Sequence, residues 1–342
     1  MKILSLFSGC GGMDLGFKQL NFETILATDK SKIACETLNI NKMSNNILDE
    51  DIQKLNFENY KDKIDGVIGG PPCQPYSQTR HYIIGKKKGF EDVENGKTVN
   101  EFFRCIYEVR PKFFLFENVD GFMHKTHKKE LNFLKKISKK LGYSINYKIL
   151  NCANYGIPQT RKRFICVGFK SKTKKFEFPK ETHINPEHEN PNNLKYWKTC
   201  EEVISIYEKL DFLEKNIKVK PGGKDYELLK KIPSGDNYLF FTKKRGHKNP
   251  LFNWKSRYWT FLLKLTPTRP AWTIQASFST NQGPFHWKNR FLNICEIQEL
   301  QTINSDYQIV GDFKEKWKQI GNAFPTKMSK ILAKSIHKQM IN

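Results

Sequence analysis

Ile3-Leu4-Ser5-Leu6-Phe7-Ser8-Gly9-Cys10-Gly11-Gly12-Met13-Asp14-Leu15-Gly16-Phe17 decides the fold. The apolar run Ile3–Phe7 enters a glycine-rich turn and leaves it as a helical stretch reaching about Gln19. Glycines at such a junction let the backbone approach a ligand closely at the helix N-terminus. Working outward, Thr24–Ala27 reads as a second strand and Ser31–Leu38 as a second helix. Ile64–Ile68, Phe113–Phe116 and Phe164–Phe169 are further short apolar runs bounded by turn residues. Strand and helix signals thus alternate over the first 170 residues. That order predicts an α/β fold built on a doubly wound sheet with helices on both faces. The second strand ends Ala27-Thr28-Asp29, which places a carboxylate where it can take ribose hydroxyls. A tight structural turn is the competing reading. The dinucleotide pattern G-x-G-x-x-G is not matched cleanly, so a nucleoside cofactor other than NAD is expected.

The chain has 342 residues, enough to bury a core, with 38% hydrophobic and 27% charged residues. No apolar run approaches the ~20 residues of a membrane span. Met1 leads straight into the first strand without a secretory apolar region, so an intracellular, cytoplasmic protein is expected. The eight cysteines form no C-x-x-C pair, so neither a disulfide framework nor a metal site is expected. The formal net charge is +23, which points to a polyanionic partner, nucleic acid first. The competing reading is compositional bias, because 49 of the 58 basic residues are Lys and only 9 are Arg.

Organisation changes after residue 170. Residues 171–225 are rich in Lys and Pro and read as a boundary. Residues 241–290 carry ten Lys or Arg, no Asp or Glu, and many aromatics. After Pro325, Met328, Ile331, Leu332, Ile336 and Met340 mark an amphipathic helix with Thr326 as a plausible N-cap.

Three further stretches carry chemistry. Gly69-Gly70-Pro71-Pro72-Cys73-Gln74-Pro75-Tyr76-Ser77 follows a strand, and its two prolines fix the backbone before a thiol at the carboxyl end of the sheet. A rigid turn there suits a nucleophile; a buried, inert cysteine is the alternative. Phe116-Glu117-Asn118-Val119 ends another strand, which makes Glu117 a candidate acid/base. In Gln159-Thr160-Arg161-Lys162-Arg163, strand alternation would put Gln159, Arg161 and Arg163 on one face.

Together these blocks resemble the bacterial-type DNA (cytosine-5) methyltransferases of restriction–modification systems. Phe-Ser-Gly-Cys-Gly-Gly, Pro-Pro-Cys-Gln, Glu-Asn-Val, Gln-x-Arg-x-Arg, Arg269-Pro270-Ala271-x-Thr273-Ile274 and Gln319-Ile320-Gly321-Asn322-Ala323 occur in the family's order over nearly the whole chain. The resemblance implies a Rossmann-like catalytic domain over 1–175 plus 305–342 and a target-recognition domain with hinge over 176–304. It implies S-adenosylmethionine as cofactor, held by Phe7, Ser8, Gly9, Cys10, Gly11 and Gly12. Asp29 would lie on the ribose and Asp51 at the adenine amine, with Lys30, Ile52, Pro71 and Asn322 also in the cofactor site. Cys73 would attack C6 of a flipped cytosine, Glu117 would bond N3, and Arg163 would hold O2 with Arg161 and Gln159 in support.

Further expectations concern DNA. The stretch 76–98 would close over the flipped base, with Ser77, Lys86, Lys87 and Lys88 toward the duplex. The basic segment 241–290 would recognise the target, with Arg245 and Arg257 as base or phosphate contacts and Arg269 organising the region. The implied partners are double-stranded DNA and a restriction endonuclease acting on the same site, and a monomer is expected. Around Val99 the sequence departs from the family: Asp92–Phe102 lacks the usual Arg and Leu and is longer. Two alternatives stand beside this reading. One is a tRNA cytosine-5 methyltransferase, against which Pro75-Tyr76-Ser77 and the bulk of 171–290 speak. The other is a catalytically inactive DNA-binding regulator, against which the intact Cys73, Glu117 and Arg163 speak.

Overall fold

The structure, a computed structural model, describes residues 1–72, 97–171, 173–209, 220–253 and 258–341. Cys73, Ser77, Lys86, Lys87, Lys88 and Arg257 lie outside the described residues, as does most of the 76–98 stretch. The chain divides into two compact units. The first comprises 1–151, 162–180 and 323–342, and the second 152–161 and 181–322.

The first unit is built on a seven-stranded sheet. Its strands are β1 (Lys2–Leu6), β2 (Glu23–Thr28), β3 (Ile47–Leu48), β4 (Gly66–Gly69), β5 (Phe113–Val119), β6 (Ser144–Asn151) and β8 (Lys162–Phe169), in the order β3-β2-β1-β4-β5-β8-β6. β1 to β5 run parallel. β8 enters antiparallel between β5 and β6. The order reverses between β1 and β4, and ligands bind doubly wound sheets outside the strand ends at such a point.

Sequence periodicity explains the layers. β1, β4 and most of β5 are buried, as strands covered on both faces must be. Helix α1 (Gly12–Lys18) follows β1, and α2 (Lys32–Ile40) follows β2. Helix α3 (Lys97–Val109) buries Val99, Phe102, Phe103, Ile106 and Val109, a stripe at helical spacing in the core shared with Phe114 and Phe116. Val99, in the segment that departs from the family pattern, is thus a core residue. Helix α4 (Lys128–Lys140) precedes β6. Helix α9 (Thr326–Ile341) returns to this unit and packs on α1: the Ser329 hydroxyl donates to the Met13 carbonyl at 2.5 Å. A Cβ on Gly16 would fall 2.5 Å from the Ser329 Cβ, so this crossing needs glycine.

Two expectations about this unit are corrected. Thr326 is the first helical residue of α9 rather than its N-cap, and its hydroxyl makes no hydrogen bond. The stripe buried by α9 is Met328, Ser329, Leu332, Ala333 and Ile336, with Ile331 and Met340 only half-buried. Strand β6, antiparallel to β8, is an addition to the expected strands, although Ile145, Tyr147 and Ile149 alternate with polar residues along it.

The second unit has little regular structure. It contains the two-residue strands β7 (Gln159–Thr160), β9 (His183–Ile184), β10 (Lys195–Tyr196) and β11 (Ala271–Trp272), with β7 paired to β11 and β9 to β10. Its helices are α5 (Glu201–Ile204), α6 (Tyr226–Lys231), α7 (Ile294–Leu300) and α8 (Phe313–Asn322). Helix α7 carries a full capping box between Asn293 and Glu296. Leu229, Ile232, Tyr238, Leu239, Phe241, Leu262, Phe285 and Phe291 form a separate core there.

Candidate active site

At the end of β1 the chain turns through Phe7 (φ 55°), Gly9 (φ 53°) and Gly11 (φ 83°), all in the left-handed region. Nothing lies within 4 Å of the position a Gly9 Cβ would take, so this turn opens onto space. A Gly12 Cβ would strike the Phe324 carbonyl at 2.5 Å, which explains glycine there by packing. Asp29 closes the turn from β2. Its Oδ2 accepts from the Gly9 N–H and its Oδ1 from the Ser31 N–H, each at 2.9 Å. A carboxylate at the end of this strand is placed to take the hydroxyls of a ribose. The Ser8 N–H bonds the Thr28 carbonyl, and its hydroxyl bonds Ser5. Lys30 is exposed and Cys10 is buried, and burial pushes the Cys10 thiol up to about 12. Asp51 caps the short turn Ile52–Lys54 through the Gln53 N–H at 2.9 Å, and Ile52 is buried. An open glycine turn flanked by a strand-end carboxylate fits a nucleoside cofactor.

Asp14 is a residue that the motifs do not single out. It is fully buried in the first turn of α1, with the Ser5 hydroxyl and its own backbone N–H as the polar groups that oppose its desolvation. Desolvation, with Asp29 nearby, raises its pKa to about 6. An acidic residue between Met13 and Leu15 on a buried face is the signal that marks it.

The second half of the site lies at the end of β5. Val119 pairs with Arg163 and Glu117 with Ile165 across the β5–β8 ladder, so Glu117 and Arg163 are diagonal neighbours on one face. Arg163 Nε lies 3.0 Å from Glu117 Oε1, with 11% and 15% of the two side chains exposed. The next β5 residue, Asn118, is buried and donates through Nδ2 to the Pro71 carbonyl at 3.2 Å. A Cβ on Gly70 would lie 2.6 Å from Glu117 Oε2. Gly70 therefore lies against the Glu117 carboxylate, with the Pro71 carbonyl held by the neighbouring Asn118.

β7 ends at Thr160 and β8 begins at Lys162, with Arg161 between them. The Gln159 and Arg161 side chains are both buried in the second unit. Gln159 Nε2 donates to the Leu300 carbonyl and to Gln301 Oε1, and its Oε1 accepts from the Ile274 N–H. Arg161 donates to the carbonyls of Ile274 and Gly321, each at 3.1 Å. They stitch 159–161 to the 274–321 stretch. Asn322, the last residue of α8, is exposed and also belongs to the second unit.

The candidate DNA contacts differ in availability. Arg245 is half-exposed, with Asp236 at 3.5 Å, and Arg269 is exposed and pairs with Glu187 at 2.6 Å. Lys243, Lys244 and Lys248 are exposed. Lys264 is buried and donates to the Ile232 carbonyl, and Arg290 grips Glu296 with both terminal nitrogens. At least two of the ten basic residues in 241–290 therefore hold the unit together.

Residues 1–338 match the family of C-5 cytosine-specific DNA methylases. Among curated relatives, the Type II methyltransferase M.SacI of Streptomyces achromogenes is 32% identical, over 99% of this chain and 93% of its own. M.NgoFVII of Neisseria gonorrhoeae is 33% identical over 98% of this chain and 86% of its own. Among solved structures, a DNMT2 variant from Spodoptera frugiperda superposes with a TM-score of 0.68 at 17% identity, covering 98% of this chain and 99% of its own. That likeness supports the fold.

Proposed function

The chain belongs to the family of C-5 cytosine-specific DNA methylases, and from that premise we propose how its residues divide the reaction. The family identifies a DNA cytosine-5 methyltransferase whose methyl donor is S-adenosylmethionine. Phe7 to Gly12 and Asp29 would hold the donor, with Asp51, Ile52 and Pro71 completing the site. Bound there, S-adenosylmethionine supplies an electrophilic methyl group. Aromatic C5 is a poor nucleophile, so the target cytosine leaves the duplex and is activated by covalent addition. The Cys73 thiolate adds to C6. Glu117 holds a proton at N3, and Arg163 holds O2 while orienting the Glu117 carboxylate; both stabilise the charge that develops in the ring. The bound donor would supply that methyl group to C5 by cleavage of its sulfur–methyl bond, leaving as the thioether; loss of the C5 proton then lets the C6–sulfur bond break and release the thiol.

The observation that carries this reading is the Glu117–Arg163 pair at 3.0 Å, with Pro71 tied by Asn118 beside it. Gln159 and Arg161 act by shaping the second unit rather than by touching the base. That unit recognises the target, with Lys243, Lys244, Arg245 and Lys248 at phosphates or bases. The protein works as a monomer in the cytoplasm and protects host DNA from an endonuclease that cuts the same site. Incubation with labelled donor and either duplex DNA or tRNA tests the reading. Label should enter duplex DNA, and bisulfite sequencing should show one short recurring site. Label in tRNA alone, or in neither, would overturn it.

A further inference from the structure

The second unit exposes apolar surface beside its cations. Trp259 is 45% exposed, Tyr258 47% and Leu251 53%. All three leave one small aromatic core. Tyr238, Phe252 and Phe261 pack edge to face within 6 Å of one another, the Leu251 N–H bonds the Phe241 carbonyl, and the Phe261 N–H bonds the Tyr258 carbonyl. The turn bearing Lys243, Lys244, Arg245 and Lys248 starts from the same core at Phe241.

Trp259 is held rather than loose. Its carbonyl accepts from Nδ2 of the buried Asn237 at 2.8 Å. Its ring stands edge to face with Trp272 at 6.3 Å, and Trp272 is fixed by the pairing of β11 with β7. Tyr258 before it and Leu262 after it both take left-handed backbone, at φ 60° and 52°, an arrangement that costs energy for bulky side chains. A large, braced indole turned to solvent within 241–290, where no acidic residue occurs, fits a partner that is anionic outside and aromatic inside. Duplex DNA has both characters: phosphates for the lysines and, in its grooves, base edges with apolar groups such as the thymine methyl for the indole.

We propose that Trp259 contacts the bases of the recognition site, supplying an uncharged reading contact among phosphate-binding cations. The inference rests on the second unit being the DNA-recognition unit. The two kinds of contact differ in their salt dependence. Each phosphate that is no longer neutralised takes about 0.9 from the slope of log affinity against log salt, whereas removing an indole–base contact leaves the slope unchanged.

The test uses the full chain and a duplex carrying the site mapped by bisulfite sequencing, with a scrambled duplex as control. Trp259→Ala should weaken site binding about tenfold, with the slope intact and with less than about twofold loss on the scrambled duplex. Trp259→Phe, which keeps an aromatic face, should recover most of that loss. Lys243→Ala with Lys244→Ala should flatten the slope by up to about two and act on both duplexes. Unchanged site binding by Trp259→Ala, or equal loss on both duplexes, would overturn the inference while the lysine variant upholds the recognition unit. If neither variant moves affinity or slope, that unit does not bind DNA and the inference falls with it. Should Trp259→Ala fail to fold by circular dichroism, the Trp259 emission decides, taken as wild type minus Trp259→Phe. Quenching by the site duplex supports the contact, and no quenching overturns it.

Discussion

Arg163 and Arg161 stand two residues apart and show what two kinds of architecture ask of one side chain. Arg163 sits in a long ladder, where pairing of β8 with β5 fixes it to the diagonal of Glu117 and leaves its guanidinium partly open to solvent. Arg161 sits between two strands, and its guanidinium is buried on the carbonyls of Ile274 and Gly321. In the first unit, sheet register aims a functional group. In the second, where strands are two residues long, buried side chains do the work that a ladder does elsewhere, and chemistry is left to what remains exposed. The same residue type is thus the partner of a strand-end carboxylate in one place and a fastening in the other.

The sharpest break of this comparison is Glu117→Gln. Loss of the ion pair and of the group at N3 should reduce methyl transfer about 10³-fold with little change in melting temperature, measured with labelled donor and duplex. Near-normal activity would remove Glu117 from the reaction. Arg161→Ala should do the reverse in kind, costing about 4 kcal/mol of unfolding free energy in urea, because two buried carbonyls lose their donor. An Arg161→Ala protein as stable as wild type but inactive would return Arg161 to the reacting base.

A smaller effect is expected at Asp14. The folded protein keeps this carboxyl protonated up to about 6, against an ordinary 3.8, so folding takes up a proton between those values. Stability from this group is therefore present below about pH 4 and is lost as pH rises through about 6. Asp14→Asn should be more stable than wild type at pH 7.5 by at most about 3 kcal/mol, and equal to it near pH 4. An unchanged stability–pH profile would show that the buried carboxylate finds solvation in the native state. The smallest effect concerns Gly16→Ala, which should cost about 1–3 kcal/mol in unfolding free energy by forcing α1 from α9 at Ser329.

Legibility follows the same division. The β1 turn, Asp29, the end of β5 and the start of β8 are readable because a short apolar run ending in glycine or a charged residue has few other meanings in an alternating chain. Strand β6 escapes notice because its half-buried alternation, Ile145, Tyr147 and Ile149 among polar residues, is a weak signal beside a long apolar run. Thr326 misleads because a threonine after proline suits both N-cap and first helical turn, and only the backbone decides. What the sequence does not show is which groups Gln159 and Arg161 bond. The partners that claim these two side chains lie more than a hundred residues away, and no local pattern announces them.

The central claim of the proposed function is that Cys73, which follows Pro72 in the sequence, is the covalent nucleophile. A duplex with 5-fluorocytosine at the target site tests it directly, because fluorine at C5 cannot leave as a proton does and the adduct persists. After incubation with S-adenosylmethionine and digestion, mass spectrometry should find the modified base on the peptide containing Cys73. Cys73→Ala should form no adduct while still binding the donor by calorimetry. An adduct on another cysteine, or methylation of DNA by Cys73→Ala, would contradict the account.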